Sequence, residues 1–273
     1  MSYTLTYRIN NHDLPDPVRT IEVEATPEQI AHLVEEGYLV RERLVQGAFL
    51  EELRAAVDEL AAAEGAANAT SNGGHFGGLF IRNLPDRHPT FQKLIRYSPF
   101  LSIARAALGP QVQIHGTVIR VTYPGQPNQE THWHFHQRIV PDPLPPLFAR
   151  SRVLDNLLYL DDIDDATGPF CLVPRSHLRM HMDVPAGYYG DFPDQIVLRV
   201  PAGSCITADA GLSPGNADTA RRKSAPSDHL GLQPDVDETG GHAKWGDLQS
   251  SPGNGRHGDA GAARQSWLFL IFS

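Results

Sequence analysis

The feature that most constrains this chain is a change of period at Val112. Before it, apolar residues recur at helical spacing; after it, they fall into short runs separated by turn clusters. Thr26-Pro27-Glu28-Gln29 opens a helix, with Thr26 as the cap, Pro27 in the first turn and Gln29 closing a capping box. Ile30, Leu33 and Val34 give that helix one apolar face, and Gly37 stops it. A second helix is predicted over 48–63, with Phe49, Leu53, Ala56, Val57 and Leu60 on one side, and a Gly-rich loop over 64–74. A third is predicted over 90–108, interrupted near Pro99. Downstream, Val112, Ile114, Val118 and Val121 predict extended chain ended by Tyr123-Pro124-Gly125. Further apolar runs follow at 154–160, 170–173, 196–200 and 204–207, divided by turns such as the acidic Asp164-Asp165-Ala166-Thr167-Gly168-Pro169. Helices first and short strands after predict a mainly β fold with N-terminal helices, a jelly roll flanked by helical segments.

That pattern fails abruptly. From residue 212 to 266 there is no Phe, Tyr or Ile, and Gly, Pro, Ser, Asp and Asn dominate. Such a stretch buries too little apolar surface to offset its ordering entropy, so disorder is expected until the short apolar segment 267–272. The expected organisation is therefore a helical region 1–110 packing on the core, a jelly-roll core 111–212 that is incomplete after Leu212, and an aberrant tail 213–273.

With 273 residues, 41% hydrophobic and 20% charged, the chain is globular in composition. A formal charge of −9 argues against a nucleic-acid partner, which would require clustered Lys and Arg. Cys171 and Cys205 are too few for a disulfide framework and sit in apolar runs, which suits small buried hydrophobes. Neither a signal peptide nor an apolar stretch of membrane-spanning length is visible, so a cytoplasmic protein without membrane partners is expected.

The chemistry concentrates in Thr131-His132-Trp133-His134-Phe135-His136-Gln137-Arg138. Its three histidines alternate, and on extended chain residues two apart face one side. Imidazoles so placed suit a divalent first-row metal, although iron, zinc, copper and nickel all accept them. The bland alternative is a His-rich surface strand.

Trp133-His134 is followed in order by Leu157-Leu158-Tyr159-Leu160-Asp161-Asp162, Thr167-Gly168-Pro169 and Val173-Pro174-Arg175-Ser176-His177. This order resembles the phytanoyl-CoA dioxygenase family, with its Trp-His ligand strand, Leu-x-Leu-Asp-Asp strand end, Gly-Pro turn and Val-Pro-Gly-Ser-His turn. Glu36-Gly37-Tyr38-Leu39-Val40 and the helix carrying Phe49 and Leu60 are similar to the family's opening, and the resemblance covers residues 26–212. It implies a double-stranded β-helix, Fe(II), 2-oxoglutarate and O₂, and hydroxylation of a small molecule. It also implies a His-x-Asp/Glu pair, a distal His, and an Arg that pairs with the 2-oxoglutarate carboxylate.

Carried over by residue, His134 matches the first ligand, but His136 stands where the carboxylate is usual. The metal ligands expected are His134 and His136, with His132 as the alternative partner to His134. A neutral ligand in place of an anionic one weakens Fe(II) binding. Arg175 replaces the turn glycine, which predicts strain there.

The distal His expected shortly after the strand at 204–209 is missing. Gly211-Leu212 runs into Ser213-Pro214-Gly215, and His229, His242 and His257 have no apolar strand to hold them. The codons allowed for residues 213–219, read one base out of frame, can spell His-Arg-Ala-Met-Pro-Thr-Pro. In the same frame residues 228–237 can spell Ile-Ile-Trp-Gly-Tyr-Ser-Pro-Thr-Trp-Met, an apolar strand with the family's aromatic ending. On that hypothesis the C-terminus is frameshifted, the third ligand and the Arg clamp are lost with it, and the chain is inactive as written.

Two rivals stand beside the oxygenase. Gly125 followed by an HxH pair resembles the first motif of a cupin-type metalloenzyme, but the Glu expected soon after is absent from Arg138-Ile139-Val140-Pro141. The other rival is a non-catalytic remnant or binding protein on the same fold. Among the remaining polar residues, Asp161, Asp162, Asp164 and Asp165 suit a solvated acidic turn better than a cation site. His177 suits a structural turn role. A buried hydrogen-bonded role and a site role compete evenly for Asp155, as a surface ion pair and an anion-binding role do for Arg138, while His115 and Arg120 are candidates for the pocket wall.

Overall fold

The computed structural model describes residues 1–8, 18–68, 78–123, 131–136, 140–143, 152–165, 167–179, 182–185, 187–211, 213–216 and 265–272. A hairpin of β1 (Tyr3–Arg8) and β2 (Val18–Val23) precedes α1 (Pro27–Glu36). The capping box forms as expected. Thr26 Oγ1 accepts from the Gln29 amide at 3.2 Å, the Gln29 side chain accepts from the Thr26 amide at 2.9 Å, and Gly37 closes the helix with a φ of 85°. Leu33 is buried against Val23, Leu39, Ile103 and Leu154, but Val34 is exposed, because only one narrow stripe of this short helix meets the core.

After β3 (Tyr38–Arg41), α2 runs over Gly47–Asn68, longer than expected, and buries Leu53, Ala56, Val57 and Leu60. Next come β4 (Leu79–Arg82), α3 (Pro89–Ile95) and α4 (Ser98–Leu108). The single interrupted helix expected over 90–108 is two helices, since Pro99 lacks the amide hydrogen needed to continue α3 but fits the first turn of α4. No helix among the described residues is long and apolar enough to cross a membrane.

The strands that follow are β5 (Ile114–Thr122), β6 (Leu154–Tyr159), β7 (Phe170–Val173), β8 (Ile196–Leu198), β9 (Cys205–Asp209), β10 (Ser213–Asn216) and β11 (Gln265–Phe272). They form two facing antiparallel sheets. The larger has the order β3-β9-β6-β11-β5-β4 and the smaller β10-β7-β8. The outer face of the large sheet, with Ile119, Val121, Leu158, Leu160, Leu268 and Leu270, packs on helix residues including Leu53, Val57, Phe91 and Phe100. Its inner face, with Leu157, Tyr159, Ile206 and Ala208, meets Phe170 and Leu172 of the small sheet. Every residue of β6 is buried, which is why its sequence reads as a continuous apolar run rather than an alternating one.

Two expected boundaries do not survive. β3 and β4 belong to the large sheet, so the chain does not divide at residue 110. The sheet is not left incomplete after Leu212: β10 pairs with β7, and β11 enters between β5 and β6 at the centre of the large sheet. The composition of the preceding stretch concealed β11, because a strand's partners are set by the sheet and not by its sequence neighbours. Residues 217–264, with His229, His242 and His257, lie outside the described residues.

The acidic turn is structural. Asp161 accepts from the Ser266 amide and hydroxyl at 2.8 and 2.9 Å, Asp162 from the Ala202 amide at 2.8 Å, and Asp165 pairs with Arg199 at 2.6 Å. These bonds tie the end of β6 to β11 and to the β8–β9 connection. His177 is structural too, buried with Nε2 at 3.1 Å from the Val34 carbonyl. Arg175 takes the left-handed conformation expected of a glycine position, with φ 62°, and its guanidinium pairs with Glu35 and Glu36 at 2.7 Å each. Both cysteines are buried free thiols.

Candidate metal centre

Residues 131–136 cross the inner face of the large sheet without ladder pairing, so the predicted strand is absent although its alternation is kept. Trp133 is the anchor, packed on the face of β7 opposite to Phe170 and Leu172. It is 5% exposed, packs against Cys171 and Val173, and donates from its indole to the Gly190 carbonyl at 2.8 Å, while its amide donates to the Tyr188 carbonyl at 2.9 Å. This docking explains the Trp of the Trp-His pair, since an amphipathic ring with one donor fixes a loop in both packing and register.

With Trp133 held on one side, the three histidines share the other. The His132 and His134 ring centroids lie 5.6 Å apart, and those of His134 and His136 lie 4.9 Å apart. His134 Nδ1 is 2.8 Å from the His132 carbonyl, which can only accept, so Nδ1 carries a proton. His136 Nδ1 contacts a carboxylate oxygen, Asp155 Oδ2, in the corresponding way. His132 stands outermost, its ring 5.9 Å from that of the exposed Tyr189. His134 and His136 thus share one arrangement, each with Nδ1 held at an oxygen atom.

Two residues of the large sheet hold the ends of this segment. Asp155 of β6 is almost fully buried, with its side chain 3% exposed, and reaches His136. Arg120 of β5 is buried, donates to Thr131 Oγ1 at 2.5 Å and lies 5.1 Å over the Phe80 ring. Burial pushes the Arg120 pKa down to about 10, which leaves it charged at neutral pH. Its inner-face neighbour is Tyr159: both register with Trp267 across β11, and two strand spacings put them about 10 Å apart. Burial, then the nearby Cys205, pushes the Tyr159 phenol far above its usual range, so it stays protonated.

The chain matches the phytanoyl-CoA dioxygenase (PhyH) family over residues 33–220. It belongs to that family. No curated protein sequence matches it. Among solved structures, the non-haem α-ketoglutarate-dependent carbocyclase SnoK of nogalamycin biosynthesis is 17% identical with a TM-score of 0.60, the overlap covering 91% of this chain and 84% of that one. EctD from S. alaskensis with bound Fe is 16% identical with a TM-score of 0.59, covering 99% and 84%. HygX from Streptomyces hygroscopicus, with nickel and 2-oxoglutarate bound, is 13% identical with a TM-score of 0.58, covering 91% and 87%. These likenesses show the double-stranded β-helix expected from the sequence.

The two expected ligands, His134 and His136, stand side by side. Among the described residues no group of three or more His, Cys, Asp or Glu side chains is gathered as a metal cage. The distal His expected shortly after β9 is not there in the sequence, which begins β10 with Ser213. His115, expected as a candidate for the wall, is exposed, whereas Arg120 five residues on is buried. Arg138 lies outside the described residues. A cleft of about 450 Å³ between α1 and β3, lined by Gln29, His32, Tyr38 and Leu198, contains none of the site residues. Sequence reasoning left Asp155 undecided. The available signal was its phase: it shares the inner-face alternation of Leu157 and Tyr159 in a strand otherwise apolar on that face.

Proposed function

We propose that this chain binds ferrous iron through His134 and His136, uses 2-oxoglutarate and O₂, and hydroxylates a small organic molecule. The observation that carries this is the pairing of the two rings, whose centroids lie 4.9 Å apart and whose Nδ1 atoms are both held at oxygen atoms, the arrangement that orients an imidazole for a metal. Family membership supports the same reading, as do neighbours described with iron, nickel or 2-oxoglutarate. Bound iron with 2-oxoglutarate and O₂ supplies the oxidising chemistry, and the protein orients and shields it.

The chain's own residues supply the rest. Trp133 fixes the height of the histidine segment over the sheet. Arg120, charged and buried at the Thr131 end, suits the distal carboxylate of a diacid, which a guanidinium grips through two parallel bonds. The apolar inner face excludes water. The net charge of −9 supports a small-molecule substrate over nucleic acid, and a cytoplasmic setting fits the buried free thiols.

The test is anaerobic titration with Co(II) or Fe(II), followed by 2-oxoglutarate. His134→Ala and His136→Ala are each expected to abolish metal binding, and Arg120→Ala to weaken 2-oxoglutarate binding at least 10-fold while sparing the metal. A chain that binds no metal sinks this reading. A second reading rests on Ser213 at the head of β10: a chain that binds metal but, lacking the distal ligand, does not turn over. Metal binding without 2-oxoglutarate consumption would select it.

A further inference from the structure

We infer that Asp155 supplies, from behind His136, the negative charge that the HxH pair lacks as a metal site, so that Asp155 is a positioning residue of the centre. The inference rests on the metal-binding reading of His134 and His136.

Three observations carry it. The Asp155 carboxylate is almost fully buried in the middle of the large sheet, a place where a charge is expensive unless it is paired. Its Oδ2 contacts His136 Nδ1, on the far side of the ring from Nε2. Its other oxygen, Oδ1, is buried without a hydrogen-bond partner among the described residues. A purely structural aspartate would be expected to have both oxygens satisfied, because each unpaired buried acceptor is costly. A cation held through His136 accounts for the buried charge and its contact with the ring, and the unpartnered Oδ1 leaves that ring as the carboxylate's one partner among the described residues. A carboxylate hydrogen-bonded to a ligating imidazole fixes its tautomer, aims its ring and makes its free nitrogen a stronger donor.

The arrangement also makes sense of the departure in the motif. Where the family's pattern has a carboxylate in the position of His136, the anion would touch the metal directly. Here the imidazole stands between metal and anion. The charge is displaced by one ring, onto a residue 19 positions further along and on a different strand.

The two arrangements are mutually exclusive, and this gives the test. Metal affinity is measured by titration with Co(II), read from its visible absorption bands, in the parent chain and in Asp155→Asn, His136→Asp and the double variant. Thermal melting without metal reports folding. Asp155→Asn in the parent is expected to weaken Co(II) binding roughly 10- to 100-fold. In the His136→Asp background, where two carboxylates would otherwise face each other, the same change is expected to leave binding unchanged or to strengthen it. Asp155→Ser, which can still accept from Nδ1 but carries no charge, serves if the Asn variant does not fold, and is expected to show the same loss. Equal binding by parent and Asp155→Asn, or the same loss in both backgrounds, overturns the inference while leaving the metal site standing. No Co(II) binding by the parent overturns both.

Discussion

Gly203 shows how far a single position can be committed by its surroundings. It joins β8 to β9 with φ +80°, its amide donates to the Tyr159 carbonyl at 2.7 Å, and its own carbonyl accepts from Val45 at 3.0 Å. A Cβ placed there would lie 1.9 Å from the Val45 carbonyl oxygen, a backbone atom that cannot swing aside. Gly203→Ala is therefore expected to reduce stability by at least about 2 kcal/mol, combining left-handed strain with a forced separation of two chain segments. The midpoint of urea unfolding measures it, and a loss under about 0.5 kcal/mol would show that the turn yields freely. Nothing in the sequence flanking Gly203 marks this role, since Val45 lies far away in the chain. The histidines are the opposite case. Their alternation is visible in the letters, whereas the partners that hold Nδ1 of His134 and His136, a carbonyl and Asp155, come from the folded arrangement.

Elements were legible where local rules decide them. The capping box of α1 and the strands β6 and β7 follow from cap chemistry and from apolar runs between turns. The edge strands β3 and β4 were missed, because four residues with one covered face carry almost no periodic signal. β11 was missed for another reason: its apolar run is plain, but the polar stretch before it spoke for disorder. Its position gives it unusual weight. With β11 gone, β5 and β6 would each present an unpaired edge in the middle of the large sheet, and Leu268 and Leu270 would leave a slot in the main core. Removing residues 265–273 is thus expected to yield aggregated protein without a cooperative melt, judged by sedimentation and circular dichroism. A soluble truncated chain with an unchanged melt would show that β11 does not hold the sheet.

On the scale of the whole molecule, the fold class and the family could be read from the sequence and the closing of the sheet could not, while the half-site at His134 and His136 stays a proposal. The hypothesis of a displaced reading frame bears on the remaining half. Restoring the frame after Leu212 puts His-Arg at the head of β10, and Co(II) affinity and 2-oxoglutarate turnover are expected to rise together, at least 10-fold, over the unrestored chain. Equal values in both would place the third ligand elsewhere. The central position of β11 has a further consequence in time. β5 and β6 are synthesised long before β11, yet each pairs with it along nearly its full length. A nascent chain emerging from the ribosome therefore carries an open slot through most of translation, and the large sheet can close only after residues 265–272 have emerged. Folding of this protein is tied to the arrival of that one strand: a product that stalls or ends before it has no partial native state to settle into and is left to chaperones and proteases.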